Sequence, residues 1–294
     1  MLRVTNQTMM MAAERSLGAG QARLAAAQER ASSGSRIARP SDDPLGTADA
    51  LRVHGEIAAA AQYKRNIDNG TAWLTTLDSA LGGATALLRR ARDLAVQGGN
   101  GALNQDGKNA LADQVDAVRK DLLAAANTQY LGRNVFAGTP DAPAAFTDGA
   151  PPVFNGAPGG SVQRRLGPDR SVRVDADGAA VFGTGAASVF SVLDGIAADL
   201  RGGGDPTSRL QALDGGFRAV VSGRADVGTR LAQLERAGSD LMTQQTALEA
   251  QRSGIEDVDL GKAALDLQLQ QTAYQAALAV TARTLPPSLM DFLK

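Results

Sequence analysis

Two adjacent carboxylates, Asp42 and Asp43, stand in the run SSGSRIARPSDDPLGTA, and a pair of acids is what general acid–base chemistry requires. Neighbouring residues point in different directions, however, so the two do not converge on one substrate atom. Asp43 followed by Pro44 reads instead as a helix cap with proline at the first helical position, and both acids suit the positive end of a helix dipole. The SSGSRI segment does not read as a phosphate cradle, because a P-loop follows a strand and ends in Lys-Ser or Lys-Thr. DVDLGK, from Asp257, lacks the glycine and the final glutamate that a calcium loop needs at its sixth and twelfth positions, and reads as another helix start. The chain has no cysteine, which excludes thiol catalysis, disulfides and Cys-based metal sites. Its single histidine, His54, reads as a helix-surface residue beside Arg52 and Glu56. Arg89, Arg90 and Arg92 read as a solvated face or as partners in intersubunit ion pairs. No catalytic, cofactor-binding or metal site is therefore expected, and the chain does not read as an enzyme.

The composition points the same way. Over 294 residues, 44% are hydrophobic but only 4% are aromatic, so the core must be built from Leu, Val and Ala. Small side chains favour closely packed helices over a thick globular interior. The net charge of -1 gives no nucleic-acid footprint, and no polybasic segment favours anionic membranes. No stretch approaches the roughly 18 apolar residues of a membrane span. Glu14, Arg15 and Arg23 interrupt any apolar run near the N-terminus, so no standard signal peptide is expected.

The elements follow from spacing. Met10, Leu17, Leu24 and Ala31 fall seven apart with Ala13, Gly20 and Ala27 between them, a thin heptad over residues 1–33. After the Ser-Gly-Pro break, a helix is predicted from Pro44 to Gln97, with Leu74, Leu77, Leu81, Ala84, Leu88, Ala91 and Ala95 on its core stripe. A second runs to Asn127 with Leu111, Val115, Val118 and Leu122 on one face. From Thr139 to Ser188 turn residues dominate, and SVRVDADGAAVFG predicts a β-hairpin about its Asp-Gly pair. Helix resumes near Phe190, and a heptad holds from Leu210 to Leu248. A break is expected at Ser253-Gly254. The last helix carries Leu260, Ala264, Leu267, Gln271, Tyr274, Leu278 and Leu285 in heptad positions.

This predicts a mainly α chain with a small β-rich insertion, whose N- and C-terminal halves pair as a long antiparallel helical bundle or coiled coil. Residues 1–35 and 258–294 form terminal arms, 36–138 and 189–257 a helical-bundle domain, and 139–188 a β-rich domain. Isolated helices are marginal in water. The thin stripes of the arms predict that they order only against other subunits, through Met10, Leu17, Leu24, Leu260, Leu267, Tyr274, Leu278 and Leu285.

Ser32, Ser33, Gly34, Arg36, Ile37, the acidic pair Asp42 and Asp43, Gly46 and Ala48 also resemble the N-terminal signature of bacterial flagellins and related flagellar axial proteins, as does RDLAVQGGNG from Arg92. LAAANTQYLGRNVFAGTPDAPAAF, from Leu123, and QQTAYQAALAVTARTLPPSLMDFLK, from Gln270, are similar to the hook-associated protein 3 family of hook–filament junction proteins. The resemblance implies a flagellin-like fold and a structural, extracellular role without cofactors. It implies export by the flagellar type III route without cleavage. Its implied partners are other copies of the chain, hook-associated protein 1, flagellin, and an export chaperone at the C-terminal arm, with no nucleic acid or membrane. Ser33, Gly34, Arg36, Ile37, Asp42, Asp43 and Gly46 would form a flexible joint. A short flagellin that forms the filament itself is the alternative.

Overall fold

The structure, a computed structural model, describes residues 6–139, 142–157 and 159–284. These fall into two compact units, one of residues up to Ala59 and from Gln244 onward, the other Ala60–Thr243.

In the Ala60–Thr243 unit the core is helical. Helix α2 (Pro44–Gly98) buries every residue of its expected stripe from Leu74 to Ala95. Helix α6 (Leu210–Glu256) runs antiparallel to it and buries Leu213, Val220, Val227 and Leu234, seven residues apart. The seam admits close approach at small residues: a Cβ added at Gly70 would lie 3.2 Å from Leu234 Cδ1. Its exposed edges carry the arginines. Arg92 Nε bonds Asp214 at 3.1 Å, Arg224 Nε bonds Asp78 at 2.8 Å, and Arg89 lies over the Phe217 ring. Each of these contacts lies within one chain.

Helix α3 (Gln105–Ala126) starts where Asn104 Oδ1 accepts the Gly107 amide at 2.9 Å. It buries Leu111, Val115, Val118 and Leu122 against α5 (Val189–Gly202). Gly203 ends α5 in the left-handed region, which glycine adopts without a Cβ penalty.

Between α3 and α5 the described residues form three two-stranded antiparallel ladders: β1 (Gln129–Tyr130) with β2 (Arg133–Asn134), β3 (Phe146–Thr147) with β4 (Val153–Phe154), and β5 (Gln163–Arg165) with β6 (Ser171–Arg173). The ladders are too short to hold a sheet core. An aromatic cluster does so instead. Phe146 meets Phe154, Phe182 and Phe190 at ring-centroid distances of 5.0, 5.8 and 5.3 Å, and Phe136 meets Phe182 edge-on at 5.1 Å. Arg119 of α3, largely buried, reaches Asp148 at 2.8 Å and Asp194 at 2.5 Å, tying the β3–β4 region to two helices. Its hydrogen bond holds the Asp148 carboxyl below the usual range, while burial pushes Asp194 up.

The expected hairpin about Asp177-Gly178 does not form. Asp177 Oδ1 accepts the Ala179 amide at 3.0 Å and caps α4 (Gly178–Phe182), and the hairpin turns earlier, at 166–170. Gly178 is there because a Cβ would come within 2.8 Å of the Phe136 carbonyl, not to make a turn. The alternation in SVRVDA reflects something else. Asp175 is wholly buried, accepting from the Val162 amide at 2.7 Å and Arg173 Nε at 2.9 Å.

The β1–β2 turn holds an unusual residue. Leu131 has φ +50° and Gly132 φ +77°, the left-handed pair of a type I′ turn. For an L residue with a bulky side chain that backbone costs about 1–2 kcal/mol. Nothing local repays the cost, since Leu131 is 79% exposed.

Candidate functional site

The other unit is an antiparallel helix pair and a knot of loops. Helix α1 (Asn6–Ser33) lies along α7 (Leu260–Thr284), with Arg30 3.8 Å from Asp266 and Gly20 facing the ring of Tyr274. The contact is thin. Among the described residues of the pair only Ala27 and Ala263 are buried, and Ala13, Leu17, Gly20, Leu24 and Ala31 are half-exposed. On α7, Leu267 and Tyr274 turn toward α1, while Leu260 and Leu278 are 66% and 42% exposed. Met10 is 48% exposed, and Leu285 lies outside the described residues.

Heptad counting missed half of what α7 carries. Leu265, Leu269 and Val280 are all more than 60% exposed, and at 100° per residue they lie on the side opposite Ala263 and Tyr274. The signal was present in the sequence: Leu265 and Leu269 are four apart, with Ala276 and Val280 on the same face. A helix with two apolar faces has two faces to cover. Here α1 covers one side only.

The knot joins the helix pair to the starts and ends of α2 and α6. Gly34, at φ +67°, turns the chain out of α1. Ser35 then bridges Asp257: the Arg36 amide donates to Glu256 O at 2.6 Å, and the Val258 amide to Gly34 O at 3.0 Å. Ser33 Oγ accepts the Ser35 amide at 3.2 Å. Asp42 and Asp43, expected together as caps, divide the work. Asp43 Oδ1 caps α2 by accepting the Gly46 amide at 2.8 Å, whereas Asp42 closes the preceding turn on the Arg39 amide at 3.0 Å. Arg36 reaches Asp43 at 3.4 Å. A Cβ at Gly46 would run into the Asp43 carboxylate and sit 2.9 Å from Ile37 Cδ1. Thus Ser33, Gly34, Arg36, Ile37, Asp42, Asp43 and Gly46 meet in one structure, each with an identifiable role.

On the other strand of the knot, the expected break at Ser253-Gly254 is absent. Helix α6 continues to Glu256, and the break falls at 257–259. One glycine is tolerated inside a helix, whereas Asp259 forces a start by accepting the Gly261 and Lys262 amides at 3.0 and 3.1 Å. Those bonds, the Lys262 amide first, hold the Asp259 carboxyl below its usual range. A depressed carboxyl adds stability above its unfolded pKa and loses it as pH falls through the folded value. His54, expected to be a plain surface residue, places Nε2 2.7 Å from Glu256 Oε1 and so fastens α2 to the end of α6.

Gly46→Ala tests the knot. It should break the Asp43 cap, worth about 0.5–2 kcal/mol, and displace Ile37. Limited proteolysis is expected to cut 33–43 faster in the variant, and unchanged protection would show that the cap does not hold this segment.

Among the described residues no group of three or more His, Asp or Glu could hold a metal ion, and no helix is long and apolar enough to cross a membrane. What this unit offers is surface: a half-covered apolar helix pair on a capped, hydrogen-bonded base.

Comparison with known proteins accords with that geometry. Residues 4–141 match the bacterial flagellin N-terminal helical region, and residues 210–293 the bacterial flagellin C-terminal helical region. The chain is 29% identical to flagellar hook-associated protein 3 of Escherichia coli K12, across 94% of this chain and 95% of that one. It is 27% identical to flagellin of Bacillus subtilis 168, across 90% and 91%. A putative flagellar hook-associated protein from Vibrio parahaemolyticus has the same fold, with a TM-score of 0.68 at 20% identity over 74% of this chain and all of that one.

Proposed function

Because the chain belongs to the bacterial flagellin family, a family of structural flagellar proteins, we propose that it works at the hook–filament junction, joining hook-associated protein 1 to the flagellin filament. The observation that carries an assembly role is α7, which has a second apolar face, exposed at Leu265 and Leu269, beside the one that α1 covers. That second face, with Leu265 and Leu269, is the surface on which further subunits pack. Met10, Leu17, Leu24, Leu260, Leu267, Tyr274, Leu278 and Leu285 take part in the same assembly, and the arms, 1–35 and 258–294, order fully only within it. Residues 36–138 and 189–257 form the helical bundle, and the β-rich 139–188 faces outward. Residues 33–46 act as the joint between arm and bundle.

A place at the junction rather than along the filament is supported by the full-length similarity to hook-associated protein 3 and by the segments from Leu123 and Gln270. The rival reading, a short flagellin, is favoured by the nearly equal identity to the Bacillus subtilis protein. In either case the chain leaves the cell through the flagellar type III pathway, without signal cleavage, with an export chaperone held on the C-terminal arm. Electron microscopy of cells lacking the gene separates the readings. Bare hooks with unassembled flagellin in the medium are expected. Ordinary or merely altered filaments would make the chain a minor flagellin instead.

A further inference from the structure

The sequence holds three Asn-Gly pairs, Asn69-Gly70, Asn100-Gly101 and Asn155-Gly156. Such a pair can react with itself. The glycine amide nitrogen, with no Cβ to shield it, can attack the carbonyl carbon of the asparagine side chain. In an unfolded chain the three pairs are chemically alike, so a difference between them must come from the fold.

The fold blocks two of them. Asn69 lies within α2, where the Gly70 amide belongs to the helical ladder and Gly70 is buried. Asn69 Oδ1 is also held by Arg164 Nε at 2.9 Å. Asn155 is exposed, but its Nδ2 donates to the Ala144 carbonyl at 3.1 Å and to Thr147 Oγ1 at 2.6 Å. Gly156 beside it is crowded, since a Cβ there would lie 2.7 Å from the Ala137 carbonyl oxygen. Asn100-Gly101, between α2 and α3, differs on every count. Both residues are exposed, and a Cβ on Gly101 would meet nothing within 4 Å. Neither the Gly101 amide nor Asn100 Nδ2 has a hydrogen-bond partner among the described residues. Asn100 Oδ1 accepts the Ala102 amide at 3.1 Å. That bond draws charge from the side-chain carbonyl carbon and is in place for the oxyanion that attack there would produce.

We propose that Asn100-Gly101 is a site of spontaneous deamidation. A solvent base removes the Gly101 amide proton, and the nitrogen bonds to Asn100 Cγ. The Cγ–Nδ2 bond then breaks, and the leaving nitrogen takes that proton back and departs as ammonia. Water opens the resulting succinimide at either carbonyl, giving aspartate or isoaspartate. Each product carries a new carboxylate, and isoaspartate also lengthens the main chain by a carbon. The segment has no slack for it. Gly98 packs on Leu200 and Gly99 on Thr207, while Gln105 Nε2 donates to the Leu200 and Arg201 carbonyls at 3.1 and 3.0 Å. The added atom must bulge between these anchors and break the turn in which the Leu103 amide donates to the Asn100 carbonyl at 3.2 Å. The inference does not depend on the choice between junction and filament.

The purified full-length chain is aged in mildly alkaline buffer, both folded and in concentrated urea, then digested at acidic pH to prevent reaction during work-up. Tandem mass spectrometry counts the amide-to-acid exchange at each asparagine. In the folded chain Asn100 is expected to react about tenfold faster than Asn69 or Asn155. In urea the three rates should converge. Equal rates in the folded chain, or an Asn100 excess that persists in urea, would overturn the proposal. Gly101→Ala is the second test. It should fold and melt as wild type does, because the space around Gly101 is open and its φ is not positive. Its Asn100 should react about tenfold more slowly, since a methyl group now flanks the attacking nitrogen. An unchanged rate would rule out attack by the residue 101 amide. Aged wild-type protein should melt about 2–4 °C below fresh protein, and aged Gly101→Ala should not. Equal melting of aged and fresh wild type would show that the anchored segment absorbs the change.

Discussion

A chain lacking residues 1–30 is expected to keep its folded body and to lose assembly altogether. The reason lies in where the large buried side chains are. Phe136, Phe146, Phe182, Phe190, Leu74, Leu77, Leu81, Leu88, Leu122, Leu193, Ile196 and Leu200 are all in the Ala60–Thr243 unit, and none of them comes from α1. Helix α1 buries Ala27 and half-covers Leu17 and Leu24, a small apolar return against the cost of ordering 28 residues. The main thermal transition should therefore move by no more than a degree or two. If the arms order only on assembly, circular dichroism of the monomer should lose far less helix than the 28 residues of α1 and 25 of α7 together represent. Assembly should fail because Ala263, Leu267 and Tyr274 lose the helix they face. Flagella sheared from cells producing only the truncated chain should contain none of it; its normal recovery there would refute the role given to α1.

The same distribution explains what the sequence revealed and what it hid. The long helices were legible because their stripes have a strict period: Leu213, Val220, Val227, Leu234, Leu241 and Leu248 are buried at intervals of seven, as spaced. The cap at Asp43 and the helix start in DVDLGK were legible because capping is local chemistry. Flagellin-family resemblance led to the knot, but not to its wiring, since the Ser35–Asp257 bridge and the His54–Glu256 bond join residues about two hundred positions apart. The Asp-Gly pair misled because Asp177 can cap a helix as readily as it can open a turn, and the choice depends on Phe136 and Phe146 crowding Gly178. The outer face of α7 escaped for a different reason. A heptad search seeks one stripe, and a helix that serves several neighbours has more than one.

The insertion is the other place where one residue should matter greatly. Its ladders are two or three residues long and cannot stand without a core. Phe146 is that core. It is 1% exposed, contacts three other phenylalanine rings, and its backbone is clamped by Asn127, whose Oδ1 accepts the Phe146 amide at 2.8 Å and whose Nδ2 donates to its carbonyl at 2.8 Å. Phe146→Ala should cost about 3–5 kcal/mol through lost burial and the cavity left behind. For a unit of this size that is a fall of roughly 10 °C in the melting temperature. Phe146→Leu should recover most of it, because a branched apolar side chain refills much of the space. The loss should stay within the Ala60–Thr243 unit, so proteolytic protection of the Gly34–Asp43 knot should match wild type at temperatures below the transition. A melt unchanged by Phe146→Ala would mean that the ladders are held by Arg119, Asp148 and Asp194 instead, and that the aromatic cluster only fills space around an electrostatic frame.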